Sequence, residues 1–172
     1  MQLAETLERK TSLAAMQNQN NQVEVAEASR LAETLKKNTS LTELHIIRNM
    51  LNDAGTRRLA DVLEWNITPI LLQIARYLLG STGTIWLAET LEQTTSLTVI
   101  NISANQIGNA GVEWFAQGLK WNISLSKLHL DRNNKGDAGT VKLVKALKQN
   151  NSQTEEFICH LDKSRRLRTD PE

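Results

Sequence analysis

Apolar residues in this chain alternate briefly, pause, and return at a longer spacing. In Thr42–Ile46 (TELHI), Leu44 and Ile46 alternate with Glu43 and His45, the spacing of a short strand with one buried side. A helical spacing follows. Leu59 with Leu63, Leu87 with Leu91, Phe115 with Leu119, and Leu143 with Leu147 stand four apart, on one face of a helix. Asp53, Ser81, Asn109 and Asp137 precede these stretches in one phase. Their short polar side chains predict helix N-caps. Gly55, Gly83, Gly111 and Gly139 stand two residues later.

The elements recur with a period of 28 residues. LAETL occurs three times, at Leu3–Leu7, Leu31–Leu35 and Leu87–Leu91. Leu13, Leu41, Pro69, Leu97, Leu125 and Gln153 share one phase. Met16, Leu44, Leu72, Ile100, Leu128 and Glu156 share the next, followed by Asn18, Ile46, Ile74, Ile102, Leu130 and Ile158. Asn21, Asn49, Tyr77, Asn105, Asn133 and Leu161 complete the set. A strand and a helix cannot bury their apolar faces alone, so successive units must stack. Strands then form a parallel sheet on the inner wall, and helices line the outside. Asn49, Asn105 and Asn133 follow the strands, where a side-chain amide can satisfy backbone groups of the turn and the next repeat.

LTELHIIRN (Leu41–Asn49) reads L-x-x-L-x-L-x-x-N. With the repeat length and the GDAG phrase, it resembles the leucine-rich repeat family and its ribonuclease-inhibitor-like subgroup. That subgroup includes repeat domains of NOD-like receptors, Ran GTPase-activating protein and tropomodulin. The resemblance covers about residues 3 to 158. It implies an α/β leucine-rich repeat solenoid, a curved horseshoe segment with a concave parallel sheet and convex helices. Five to six units would occupy residues 1–161, the first and last degenerate, with a basic, disordered tail over 162–172. The group shares a scaffold rather than a chemistry.

One strand departs from its sisters. Pro69 replaces the first leucine, Tyr77 replaces the asparagine, and Ile70 and Leu71 fall at positions expected on the open concave side. They are either drift that the array tolerates or a contact patch for a partner or a second copy. Burial of two such side chains contributes ~3–5 kcal/mol, from ~1.5–3 kcal/mol each. The remaining outward positions are His45, Ile47 and Arg48; Gln73, Ala75 and Arg76; Asn101, Ser103 and Ala104; and His129, Asp131 and Arg132. Arg48, Arg76 and Arg132 share a phase, as interface anchors or as solvated positions of the repeat. Five or six strands at ~4.8 Å spacing, each open over ~15 Å, give a wall of ~400 Å², against ~800 Å² per side in a standard interface. Loop rims, self-association or a longer array would supply the rest.

Composition narrows the alternatives. Lys and Arg (20) nearly balance Asp and Glu (19), so no general pull toward nucleic acid or anionic lipid is expected. Cys159 is the one cysteine, which excludes an internal disulfide framework. The first residues lack signal-peptide order and no apolar run nears the ~18 residues of a membrane helix, so a cytoplasmic protein is expected. No phosphate-binding glycine loop is present, and His45 and His129 lie three repeats apart, about 14 Å at strand spacing. No cofactor and no metal site is expected. Asn38, Asn66, Asn101, Asn122 and Asn150 begin N-x-[ST] matches. All but Asn101 sit where helices end, and their role there is helix termination. Trp86 and Trp114, on successive helices, and Trp65 and Trp121, before strands, are expected to pack between repeats.

The leading expectation is a non-catalytic recognition scaffold, as in a piece of a NOD-like-receptor-type protein. It would bind a protein partner through His45, Arg48, Ile70, Leu71, Gln73, Arg76, Asn101, His129, Asp131 and Arg132. The alternative is a GTPase regulator of the Ran GTPase-activating type, with Arg48 at the rim. The first repeat puts Asn18 in a core phase and lacks both the cap residue and the glycine, and the last strand lacks its leucines. Uncapped solenoid ends expose strand edge, which predicts self-association.

Overall fold

The leucines and isoleucines at the 28-residue phases become rungs of one interior. A computed structural model describes residues 14–19, 25–47, 52–64, 70–75, 79–133 and 136–150. Its elements alternate without exception among these residues: β1 (Ala15–Gln19), α1 (Val25–Lys37), β2 (Glu43–Ile47), α2 (Asp53–Leu63), β3 (Ile70–Gln73), α3 (Ser81–Gln93), β4 (Leu97–Asn101), α4 (Gly108–Trp121), β5 (Lys127–His129) and α5 (Asp137–Gln149). The strands form one parallel sheet in chain order. Met16, Leu44, Leu72, Ile100 and Leu128 pair in register across it, and all are buried. Ile46, Ile74, Ile102 and Leu130 form a second buried layer and share one core with the helix residues Leu59, Leu87, Phe115 and Leu143. Leu147, the last of the expected helix pairs, is only partly buried.

The first repeat is better formed than its sequence suggests. Met16 is buried and β1 pairs with β2 over its full length, Asn18 falling opposite Ile46. Backbone pairing and one apolar rung suffice for a parallel edge strand there. The helix LAETLERK, Pro69, Tyr77, the last strand and the basic tail lie outside the described residues.

The expected N-caps are displaced. The caps are Asn52, Gly80, Ile107 and Gly136, so Asp53, Ser81 and Asp137 are first helical residues and Asn109 lies inside the first turn of α4. Asn52 Oδ1 accepts from Gly55 N in the usual capping manner (3.1 Å). Asp53 and Asn109 instead reach the following repeat: Asp53 Oδ1 accepts from Gly80 N (3.0 Å) and Asn109 Oδ1 from Gly136 N (2.6 Å). Each satisfies the cap residue of the next helix rather than its own. This close contact bears on two glycines of the phase, because a Cβ would lie 2.6 Å from Asp53 Oδ1 at Gly83 and 3.0 Å from Asn109 Oδ1 at Gly139, whereas at Gly111 it would meet Ile107 and Thr84.

Two asparagine ladders tie the repeats together. After the strands, Asn105 Nδ2 donates to Ile74 O (2.9 Å) and Ile102 O (2.8 Å), and Asn133 Nδ2 to Ile102 O (2.9 Å) and Leu130 O (3.1 Å). Asn133 Oδ1 also accepts from Asn105 N (3.0 Å), so each rung serves its neighbour as well as its own turn. After the helices, Asn122 Nδ2 donates to Leu91 O (2.7 Å) and Thr94 O (3.1 Å), while its Oδ1 accepts from Ser124 N (3.0 Å) and Leu125 N (2.7 Å). Asn122 has extended backbone, not the left-handed conformation of an asparagine that ends a helix. Its function is cross-repeat bonding.

Candidate protein-binding face

Strand alternation leaves one side of the sheet free of the helices. Three rows of side chains cross it. In the first, Ala15, Glu43, Leu71, Val99 and Lys127 stand in register. In the second stand Gln17, His45, Gln73, Asn101 and His129. Beyond the strand ends lie Ser103 and Asp131, in the third.

The polar rows are internally bonded. His45 Nδ1 lies 2.6 Å from Gln73 Oε1 and its Nε2 3.3 Å from Glu43 Oε2, so one ring joins two strands and two rows. Asn101 Oδ1 accepts from Ser103 N (3.0 Å), and Ser103 Oγ donates to Asp131. These contacts fix side chains that would otherwise lose rotamer freedom on binding, which lowers the entropic cost of association. In the first row, Leu71 and Val99 are half-buried neighbours. Glu43 flanks Leu71 and Lys127 flanks Val99, about 14 Å apart at strand spacing. From Glu43 to Lys127 the row thus has an apolar centre between opposite charges.

The sheet brings together His45, Leu71, Gln73, Asn101 and His129 as expected, with Asp131 beside them. Arg132 is exposed, in a left-handed turn shared by Ala104 (φ 56° at both). Arg48 and Arg76 lie outside the described residues, as does the side chain of Ile70. The β3–β4 register shifts between Ile70 and Leu71, placing Ile70 opposite Leu97 instead of Thr98. The irregularity breaks strict repetition at the strand that follows Pro69. Ala75, expected to face outward, is buried. Val99 and Lys127 were not picked out by composition or motif; only the phase they share with Leu71 marks them.

The outer layer departs further from expectation. Trp86 packs partly against the core, with Arg57 4.2 Å from its ring centroid. Trp114 and Trp121 are substantially exposed, so packing between repeats holds for Trp86 and not for them. Trp65 lies outside the described residues.

Parallel strands and outer helices in strict alternation, with an asparagine rung after β4 and after β5, decide the architecture. The fold is a leucine-rich repeat solenoid. Residues 93–116 match the family model described as Leucine Rich repeat. Among solved structures, the chain is similar to the leiomodin-1 actin-binding site 2, with 19% identity and a TM-score of 0.68 over 85% of this chain and 87% of that one. It is also similar to a tropomodulin C-terminal domain from Caenorhabditis elegans, with 15% identity and a TM-score of 0.68 over 86% and 93%. No curated protein matches the sequence. No described helix of this leucine-rich repeat fold is long and apolar enough to cross a membrane.

Proposed function

We propose that the chain is a non-catalytic recognition scaffold of the 28-residue, ribonuclease-inhibitor-like kind, gripping a protein partner by its concave face and loop rim. The observation that carries this reading is the Glu43–Leu71–Val99–Lys127 row above a bonded polar row. Half-buried Leu71 and Val99 still have apolar area to lose to a partner, about 1 kcal/mol each at half of full burial. Glu43 and Lys127 orient that partner, because reversing it sets like charges together. Leiomodin-1 bears, by its name, an actin-binding site of this fold, so monomeric actin is a defined protein with which to begin.

The test is co-precipitation from cell extract and with purified actin, using wild type, Leu71→Asp, and Lys37→Glu on the exposed side of α1. A specific partner retained by Lys37→Glu and lost by Leu71→Asp supports the concave site. Equal retention by Leu71→Asp overturns it.

A further inference from the structure

The outer face of the solenoid changes character along its length. At one helix phase stand Glu33, Asp61, Glu89, Gln117 and Lys145; three residues on stand Lys36, Glu64, Glu92, Lys120 and Lys148. All are exposed. Carboxylates over α2 and α3 therefore give way to ammonium groups over α4 and α5. The residue at one helix contact changes at the same place. A Cβ on Gly118 would lie 2.3 Å from Ala88 O, so α4 sits tightly on α3. One repeat later the equivalent residue is Ala146. Between α4 and α5 runs a groove of about 320 Å³, with Ala116 and Ala146 in its wall and Lys120, Lys142 and Lys145 along it.

We infer that this groove binds a small soluble molecule through a phosphate group. Lys142 is committed to an ion pair with Glu113. Among the described residues Lys145 has no ion pair, and Lys120 rests 4.9 Å from the centroid of the Trp121 ring. Lys120 and Lys145 stand on opposite walls, with the Gln117 amide beside them as a further donor. A phosphate group carries nearly two charges and three acceptor oxygens, so it engages both lysines at once, which a single carboxylate does less well. At these two phases the carboxylates of Asp61, Glu64, Glu89 and Glu92 disfavour an anion over α2 and α3, although Arg57 and Arg58 also stand on α2. Trp121, 65% exposed, reports occupancy, because drawing Lys120 toward the ligand removes the cation from its ring.

The test is titration of the full chain with inorganic pyrophosphate, followed by tryptophan fluorescence and calorimetry. Saturable binding is expected, weakened about tenfold or more in Lys120→Gln and in Lys145→Gln, and unchanged in Lys36→Gln. Circular dichroism checks that each variant is folded, and Trp121→Phe removes the optical change without removing the heat. Three results each overturn the inference: no saturable binding, equal binding by the Lys120→Gln/Lys145→Gln double variant, or equal affinity for a glutamate-rich peptide. Binding to phosphatidic acid vesicles but not to pyrophosphate also overturns it, moving the site to a lipid surface aided by exposed Trp121 and Ile123.

Discussion

Asn122 is the residue whose removal tests the cross-repeat bonding most sharply. The residue is 2% exposed, and its side chain makes four bonds to backbone groups, Leu91 O, Thr94 O, Ser124 N and Leu125 N, besides longer contacts with the Ser124 hydroxyl. Asn122→Ala removes all four. Thr94 O keeps the Ser124 hydroxyl (3.3 Å), but the other groups lose this partner at a buried site. At about 1 kcal/mol net per bond the loss is about 3–4 kcal/mol, at the high end for a single substitution. In a domain of this size that lowers Tm by about 10 °C. Urea denaturation followed by circular dichroism measures it, with Gln117→Ala on the exposed side of α4 as a control within about 0.5 kcal/mol of wild type. A loss for Asn122→Ala below about 1 kcal/mol would refute the reasoning, because the asparagine would then be replaceable by water.

Thr94 occupies the same phase, with only long contacts to Ser96, from its N (3.4 Å) and with its hydroxyl (3.3 Å), in place of the asparagine's short ones. Thr94→Asn restores the rung and is expected to raise stability by about 1 kcal/mol in the same urea assay. Ala104 holds a left-handed backbone (φ 56°), which only glycine adopts freely. Ala104→Gly is expected to stabilise by about 0.5–1 kcal/mol after the greater entropy of the unfolded glycine is deducted, read as a rise in Tm. Gly118→Ala gains helix propensity, yet its methyl meets the Ala88 carbonyl oxygen, so a net loss of about 1–2 kcal/mol is expected on urea unfolding. Lys36 donates to Glu33 (2.8 Å) and holds that carboxyl below the usual range. Lys36→Met is expected to raise the Glu33 titration midpoint by NMR, with stability little changed because the pair is exposed.

The apolar rungs were legible because their identity is set by the period alone: Leu44, Leu72, Ile100 and Leu128 occupy one phase and one interior row. The helix starts were legible only to within a residue or two. Asp53 and Asn109 look like caps of their own helices, but their acceptors serve Gly80 and Gly136, 27 residues on in each case. A rule based on neighbouring residues cannot see a partner supplied by stacking. The same limit hid the role of Asn122, whose helix ends without needing it as a left-handed cap. For the site, phase placed Leu71 beside Val99, whereas the Ile70 register shift arises from local backbone irregularity that periodicity averages away. Trp114 shares its phase with the partly buried Trp86, so the period alone gives no sign of its exposure.

The most direct test of the concave face as the working surface is site-specific photocrosslinking in a Cys159→Ser background. A benzophenone label is placed either at Leu71→Cys on the sheet or at Glu92→Cys on the outer helices. The expected result is a crosslink to the captured protein from position 71 and none from position 92. A crosslink from 92 alone would put recognition on the helices and contradict the proposed face.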